Sequence, residues 1–351
     1  MGVFSAGDFQ DHEQVVFVRD PATGLRAIVA IHSTARGPAF GGCRLWPYAT
    51  EEEALRDVLR LSAGMTLKAA VMGLPFGGGK SVIIGDPARD KTPELLHAMG
   101  RAVHALGGRY LMADDVGTTV GDMAVIRRVT PHARGLAGAD GAPCPATAWG
   151  VYQGMLAAAE HAFGSPDLAG RRVAVQGLGS VGMRLCGFLH AAGARLLVGD
   201  LDPARVETAC RRFAAVAVEP AAILGAEADV LSPNALGAVL DDRSIPAIRA
   251  PVVCGAANNQ LAEPRHGEAL HRRGILYAPD FVVNAGGLID VAHEGPGYDP
   301  AAVLRDCERI RRVAAELFGR AAREGRPTAD VALEMAAAAL PGRNPGPRLA
   351  A

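Results

Sequence analysis

Little in this chain points to a charged partner. Its 351 residues carry 36 lysines and arginines against 37 aspartates and glutamates, a net charge of −1. That balance creates no global field to attract nucleic acid or an acidic membrane surface. Long apolar runs are also missing, so no stretch reaches the length of a membrane span. The opening MGVFSAGDFQDHE has no basic-then-apolar signal pattern. Cysteine is scarce and scattered: Cys43, Cys144, Cys186, Cys210, Cys254 and Cys307 form no C-x-x-C pair. Such spacing excludes a disulfide framework or zinc site and fits reduced, buried thiols. No internal repeat is found either. The expectation is a soluble, cytoplasmic protein without a metal site.

What the chain has in quantity is apolar residues, at 49% hydrophobic, and glycine, with 43 residues in clusters. The length suffices for two domains with separate cores. Clustered glycine marks tight turns or places where backbone closely approaches a ligand.

EQVVFVRD and LRAIVAIHS, separated by Pro21-Ala22-Thr23-Gly24, predict a β-hairpin. Thr50 caps a predicted helix from Glu51 through EEEALRDVLRLSAGMTLKAAV, with Gly64 weakening its middle. A glycine run comes next, then a short strand SVIIG, then a helix capped by Thr92 with Pro93 in its first turn. RYLMA predicts a strand delivering DDVGTT into a loop. From about Ala146 a long helix leads to RRVAVQGLGSVGMRLCGFLHAAGARLLVGDLD, which reads strand, glycine turn, helix, strand. DVLSP, PVVCGAAN and ILYAPDFVVNAGG read as further short strands. Strands alternating with helices predict a doubly wound parallel sheet. The tail after Tyr298 is helical and alanine-rich, breaking near Gly325 to Pro327.

VAVQGLGSVG places Gly177, Gly179 and Gly182 after a strand and before a helix. In a dinucleotide fold the first glycine makes the turn, the second admits the pyrophosphate and the third lets helix and strand pack closely. The helix N-terminus then faces the phosphates. Ser180 and Val181 lie within the turn and join the expected cofactor contacts. Asp200 ends the next strand, 18 residues beyond Gly182. A carboxylate there accepts from the ribose hydroxyls and favours NAD over NADP, with Arg205 leaving some tolerance for a 2′-phosphate.

GLPFGGGKSVIIGD, from Gly73 to Asp86, imitates a phosphate loop, but Leu74 stands where the pattern needs its first glycine. The residues after its glycines are β-branched and apolar, a strand where a phosphate loop needs a helix. The three glycines are expected to thin the wall of a substrate cleft. Lys68 and Lys80 both sit in apolar company. Neighbouring ammonium groups and burial disfavour protonation, so one of them can serve as acid or base. Of Asp114 and Asp115, strand alternation turns at most one toward a given site.

GPAFGGCRLWPYATEEEAL, GMTLKAAVMGLPFGGGKSVIIGDP, MADDVGTT, VAVQGLGSVG, GAANNQL and APDFVVNAGG together resemble the glutamate, leucine, phenylalanine and valine dehydrogenases. The likeness is strongest to the leucine/valine branch and runs in order from about residue 25 to residue 295. It implies an α/β chain of two domains: an N-terminal substrate domain over 1–145 and a Rossmann-type, doubly wound NAD-binding domain over 146–327. Helices over about 328–351 would pack back on the first domain, and the active site would lie in the cleft between the two. The implied reaction interconverts an L-amino acid with its 2-oxo acid and ammonia, using NAD, in a homo-oligomer.

By the same resemblance Lys68 holds the substrate carboxylate, Lys80 activates water and Asp115 handles the amine proton. Thr147, Ala256, Asn258 and Asn284 match positions at the nicotinamide end, Asn284 also facing substrate. Phe40 with Gly41, on GPAFGG read as a loop, and Ala113, Leu288 and Val291 match the side-chain pocket. None is charged, which argues against glutamate, whose distal carboxylate would need a basic partner. Leucine or valine is the favoured substrate, and phenylalanine or another aromatic amino acid the alternative. An inactive NAD-binding sensor is the alternative of another kind; it would keep Gly177, Gly179, Gly182 and Asp200 and lose the proton-transfer set.

Overall fold

The computed structural model describes residues 2–136 and 145–340, which fall into two units. The first takes in 2–136 with 290–298 and 339–340; the second takes in 145–289 and 299–338.

In the first unit β1 (Gln14–Asp20) and β2 (Leu25–Ser33) form the expected hairpin, in register from Gln14 opposite Ile31 to Asp20 opposite Leu25. Next come β3 (Ala39–Trp46), α1 (Glu51–Val71), β4 (Gly77–Ile84), α2 (Pro93–His104), β5 (Tyr110–Asp114) and α3 (Val120–Arg127). The sheet runs β1-β2-β4-β3-β5, with β2 antiparallel to β4, and β3 parallel to both β4 and β5. Caps start the helices where the sequence places them: Thr50 accepts from the Glu53 N–H and Thr92 from the Leu95 N–H.

Alternation along β4 decides what each face of this sheet meets. Gly78, Lys80 and Val82 face α1. There Ile28, Ala30 and Val82 pack with Ala54, Leu55, Val58 and Leu59. On the opposite face Cys43, Tyr110 and Met112 form a core with Leu95, Met99, Met123 and Ile126.

Two expectations need correction here. The glycine run is not a loop leading to a strand: Gly77, Gly78 and Gly79 are themselves buried residues of β4. A Cβ on Gly78 would stand 2.2 Å from the Thr66 nitrogen and 2.5 Å from the Ser62 oxygen, so glycine lets α1 lie directly on the strand. The run packs a helix against the sheet. The GPAFGG segment, expected as a loop, is for its greater part the buried strand β3. Glycine is poor in strands on average, and only the close tertiary packing favours it at these places.

The second unit opens with α4 (Ala146–Phe163), β6 (Arg172–Gln176), α5 (Ser180–Ala191), β7 (Arg195–Gly199), α6 (Pro203–Phe213) and β8 (Val216–Ala217). It continues through β9 (Val230–Pro233), α7 (Ser244–Ala247), β10 (Val252–Val253), α8 (Arg265–Arg272), β11 (Leu276–Tyr277) and α9 (Asp280–Val283). The chain then runs through α10 (Gly286–Ala292), α11 (Pro300–Cys307), α12 (Arg309–Glu324) and α13 (Thr328–Ala338).

Its sheet has the order β11-β10-β9-β6-β7-β8 with every pair parallel. Read from the β8 edge, this is the 3-2-1-4-5-6 order of the dinucleotide fold, with the order reversing beside β6. Of ILYAPDFVVNAGG only Leu276–Tyr277 is strand; after Pro279 the chain turns helical as α9 and α10.

The C-terminal helix departs from expectation too. α13 packs on α8, β11 and α12 within the second unit, while residues 339–340 just beyond it belong to the first, where Arg36 Nη1 donates to the Ala339 carbonyl at 2.8 Å. Val331, Ala332 and Ala336 are its buried face, and Thr328 donates to the Tyr277 carbonyl at 2.6 Å. The remainder of that stretch, 341–351, lies outside the described residues, as does Cys144. Among the described residues no helix is long and apolar enough to cross a membrane.

Candidate active site

In the first unit, β4 carries Lys80 on its α1 face, and β5 ends at Asp114 so that the chain turns at Asp115. The two side chains meet: Lys80 Nζ lies 2.9 Å from Asp115 Oδ1, with the Lys80 side chain 6% exposed. The other oxygen, Oδ2, accepts from Arg44 Nε of β3 at 2.8 Å. Burial alone would push the Asp115 carboxyl up, but the charges of Lys80 and then Arg44 outweigh it and hold the group below the ordinary aspartate range. Asp115 is thus an ionised carboxylate in enclosed surroundings. Asp114 is exposed, in line with the alternation that separates the two aspartates.

The backbone around the pair is fixed from several sides. Thr118 Oγ1 accepts from the Asp115 N–H at 3.0 Å and donates to the Cys43 carbonyl at 2.7 Å. From the opposite face of the sheet the buried Tyr110 hydroxyl reaches the carbonyls of Gly41 and Gly42, at 2.9 and 3.2 Å. Gly42 has no room for a side chain: a Cβ there would stand 2.7 Å from Asp115 Cβ and 3.2 Å from Lys80 Nζ. Burial pushes the neighbouring Cys43 thiol up to about 12, so it is no nucleophile.

Sequence reasoning missed Arg44, Asp57, Tyr48 and Gly42. Arg44 Nη1 donates to Asp57 Oδ2 of α1 at 2.8 Å, and the Tyr48 hydroxyl donates to the same oxygen at 2.6 Å. The signal was the lone arginine in the otherwise apolar AFGGCRLW; nothing local says which carboxylates it meets.

Of the other expected residues, Lys68 is half-buried in the last turn of α1, the helix lying on β4. Phe40 is buried and its ring packs on Phe76 with centroids 5.5 Å apart. Ala113 is buried at the end of β5, and Leu288 and Val291 share α10, one turn apart. Phe40, Gly41, Lys68, Lys80, Ala113, Asp115 and Val291 belong to the first unit, Asn284 and Leu288 to the second.

In the second unit Gly177 comes directly after β6 with φ +88, a left-handed conformation that suits glycine. A Cβ on Gly182 would stand 2.0 Å from the Gly177 carbonyl oxygen, so α5 seats directly on the turn. Above Gly179, at the N-cap of α5, a Cβ would meet nothing within 4 Å among the described residues. Ser180 and Val181 open that helix, whose first amides have no partner within it and no side-chain cap. The arrangement fits a pyrophosphate.

Asp200 comes directly after β7 and accepts from the Leu178 N–H and, at 2.8 Å, from the Asp202 N–H. Each oxygen keeps a lone pair for a ribose hydroxyl. Arg205 is paired with Asp202 at 3.1 Å.

Asn284, Asn258 and Ala256 come together: Asn284 Nδ2 donates to the Ala256 carbonyl at 3.0 Å and to Asn258 Oδ1 at 2.8 Å. Asn284 Oδ1 is buried with no hydrogen-bond partner among the described residues. It is an acceptor suited to a ligand's N–H or O–H donor. Thr147, in the first turn of α4, lies against Gly287, whose Cβ would stand 3.0 Å from its hydroxyl. Of the sequence-predicted set the structure brings together Lys80 and Asp115 in the first unit, and Asn284, Ala256 and Asn258 in the second.

Known proteins resemble the chain over most of its length. The family profile "Glu/Leu/Phe/Val dehydrogenase, dimerisation domain" matches residues 12–132, and "Glutamate/Leucine/Phenylalanine/Valine dehydrogenase" matches residues 204–294. A leucine dehydrogenase of Geobacillus stearothermophilus is 49% identical over 339 residues, covering 96% of this chain and 92% of its own. A valine dehydrogenase of Streptomyces virginiae is 49% identical over 327 residues, 92% of this chain and 91% of its own. Among solved structures, an L-tryptophan dehydrogenase from Nostoc punctiforme superposes with a TM-score of 0.82 at 42% identity, over 94% of this chain and 96% of its own.

Proposed function

The chain belongs to the glutamate/leucine/phenylalanine/valine dehydrogenase family, and from that premise we propose that Lys80 and Asp115 run the proton transfers of an NAD-dependent amino-acid dehydrogenase. The enzyme interconverts a branched-chain L-amino acid, leucine or valine, with its 2-oxo acid and ammonia. The buried Lys80–Asp115 pair, at 2.9 Å, is the observation that carries the reading.

Gly177, Gly179, Ser180, Val181 and Gly182 would hold the pyrophosphate of NAD, Asp200 its ribose, and Thr147, Ala256, Asn258 and Asn284 the nicotinamide end. A nicotinamide held there would supply the acceptor for the hydride that leaves the substrate Cα. Lys68 neutralises the substrate carboxylate as a fixed ammonium. Asp115, already ionised, accepts the proton of the substrate amine. With the substrate in place Lys80 releases its proton to solvent, and its free amine then takes a proton from the water that adds to the substrate's iminium carbon. Asp115 returns its proton to the amino group, and the carbinol proton passes to ammonia as the C–N bond breaks, so that ammonium leaves. Between turnovers the salt bridge restores both groups to their charged forms.

Phe40, Ala113, Leu288 and Val291, the positions that the family resemblance assigns to the side-chain pocket, offer no basic group to receive a distal carboxylate, which disfavours glutamate. The ring of Phe40, packed on Phe76, shortens the space open to a side chain and favours aliphatic substrates. An aromatic substrate is the second reading, favoured by the likeness to a tryptophan dehydrogenase. Soluble, cytoplasmic location and a homo-oligomer complete the proposal. The matched profile's dimerisation domain supports the oligomer.

Reductive amination tests this directly. A panel of 2-oxo acids with NADH and ammonia should give fastest NADH oxidation with the leucine- and valine-derived acids, slower with phenylpyruvate and slowest with 2-oxoglutarate. NADH binding without oxidation on any acid overturns the proposal. Light scattering reads the oligomer.

A further inference from the structure

The deamination mechanism uses Lys80 and Asp115 but leaves the cluster behind them unexplained. Arg44 of β3, with its side chain 22% exposed, spans Asp115 and Asp57 at 2.8 Å each. Tyr48 donates to the Asp57 oxygen that already accepts from Arg44. Arg60 approaches the other Asp57 oxygen only at 3.9 Å and is largely exposed.

We propose that Arg44, anchored by Asp57 and Tyr48, is a positioning residue for Asp115: it fixes one carboxylate oxygen so that the other is presented to Lys80. The proposal rests on the reading of Asp115 as the proton acceptor.

Geometry supports it. A carboxylate held by an ammonium alone is free to turn about its last torsion, because an ammonium is a point charge without direction. A guanidinium is a rigid fork, and this one has its Nη1 edge tied to α1 through Asp57 and its Nε edge on Asp115 Oδ2. Oδ1 is left to Lys80. The Asp115 backbone is pinned separately by Thr118, so the fork controls the carboxylate itself. The charged groups around Asp115 come from every element packed there: Lys80 from β4, Arg44 from β3, Asp57 from α1, Asp114 beside it on β5, and Asp122 from α3. Of these, the two cations make the direct contacts. Removing Arg44 strips Asp115 of one counter-charge and leaves Asp57, another anion, nearby.

The test compares wild type with Arg44→Gln and Arg44→Lys by three measurements. These are pH profiles of kcat for deamination, thermal melting, and a 13C NMR titration of the aspartate carboxyls in cofactor-free protein. In Arg44→Gln the acidic limb should move up by about one pH unit, the size of one lost charge-assisted hydrogen bond. The Asp115 carboxyl signal should move with it. kcat at neutral pH should fall about tenfold to a hundredfold through misplacement, with cofactor affinity unchanged. Arg44→Lys keeps the charge without the fork, so its limb should stay near wild type while kcat still falls. An unmoved limb and carboxyl signal in Arg44→Gln, with only a lower melting temperature, would reduce Arg44 to a structural salt bridge. Wild-type kcat in Arg44→Lys would overturn the positioning role, and that variant carries the test if Arg44→Gln does not fold. Should wild type deaminate no amino acid, the deamination reading fails on its own. The carboxyl titration would still decide whether Arg44 governs Asp115.

Discussion

Gly42 contributes no side chain, and the ion pair beside it depends on that. In Gly42→Ala the added methyl would stand 2.7 Å from both Asp115 Cβ and the Asp114 carbonyl oxygen, with Lys80 Nζ at 3.2 Å. Backbone cannot yield as a flexible side chain does, so the substitution should cost about 1–3 kcal/mol of stability. It should also depress turnover, read by thermal melting and by kcat on the same preparation. Lys80→Ala separates chemistry from folding in the opposite way. Asp115 keeps Arg44 as its counter-ion, so the fold and cofactor affinity should survive. kcat should fall by about 10²–10⁴-fold, the usual worth of a general acid or base. A parallel loss of cofactor affinity in Lys80→Ala would instead point to phosphate binding at the glycine run. Lys80 and Asp115 were legible in the sequence because each lies in a distinctive short motif. Gly42 and Arg44 were not, because their importance is a matter of distances to residues on other strands.

At the scale of elements, two glycines of similar appearance in sequence should behave oppositely. Gly64 lies within α1, where a Cβ would meet nothing within 4 Å among the described residues. Gly64→Ala should therefore stabilise by about 0.5–1 kcal/mol, the helix-propensity gain. Gly78 lies beneath the same helix, and its Cβ would overlap the backbone of Ser62 and Thr66. Gly78→Ala should lift α1 from β4 and destabilise by about 3 kcal/mol or more. Denaturant melts of the two variants with equal m-values make the comparison clean. Helices announced themselves through Thr50, Thr92 and Pro93, since a cap is a local contact. β3 and β4 were harder to read, because their glycine-rich halves lack strand propensity. They are strands only because a helix and Tyr110 close on them.

Over the whole molecule, the ionised Asp115 links stability to pH. Its native carboxyl titrates below the ordinary aspartate value of 3.8, so the unfolded chain takes up the proton first as pH falls. The stabilisation is therefore complete above that value and is lost as pH drops through the lower native one. Asp115→Asn should flatten the melting profile on the acid side, from the ordinary aspartate range downward, and leave the basic side unaltered. An acid slope identical to wild type would show that the pair contributes nothing to folding. High salt should leave most of this effect in place, because Lys80 is buried and poorly screened.

The amino-acid sequence by itself determined the dinucleotide unit almost completely. Its turn glycines, helix start and terminal acid are neighbours in the chain, and the parallel order comes from alternating strands and helices. It also singled out Lys68, Lys80 and Asp115 as the residues proposed for the chemistry. Tertiary structure alone decided the setting of that chemistry. Arg44, Asp57, Lys80 and Asp115 come from different elements, and a buried charge is set by what lies within a few ångströms of it, wherever in the chain that neighbour arises. The packing of α13 on the second unit was likewise decided in three dimensions, since an alanine-rich face fits many partners and selects one only by shape.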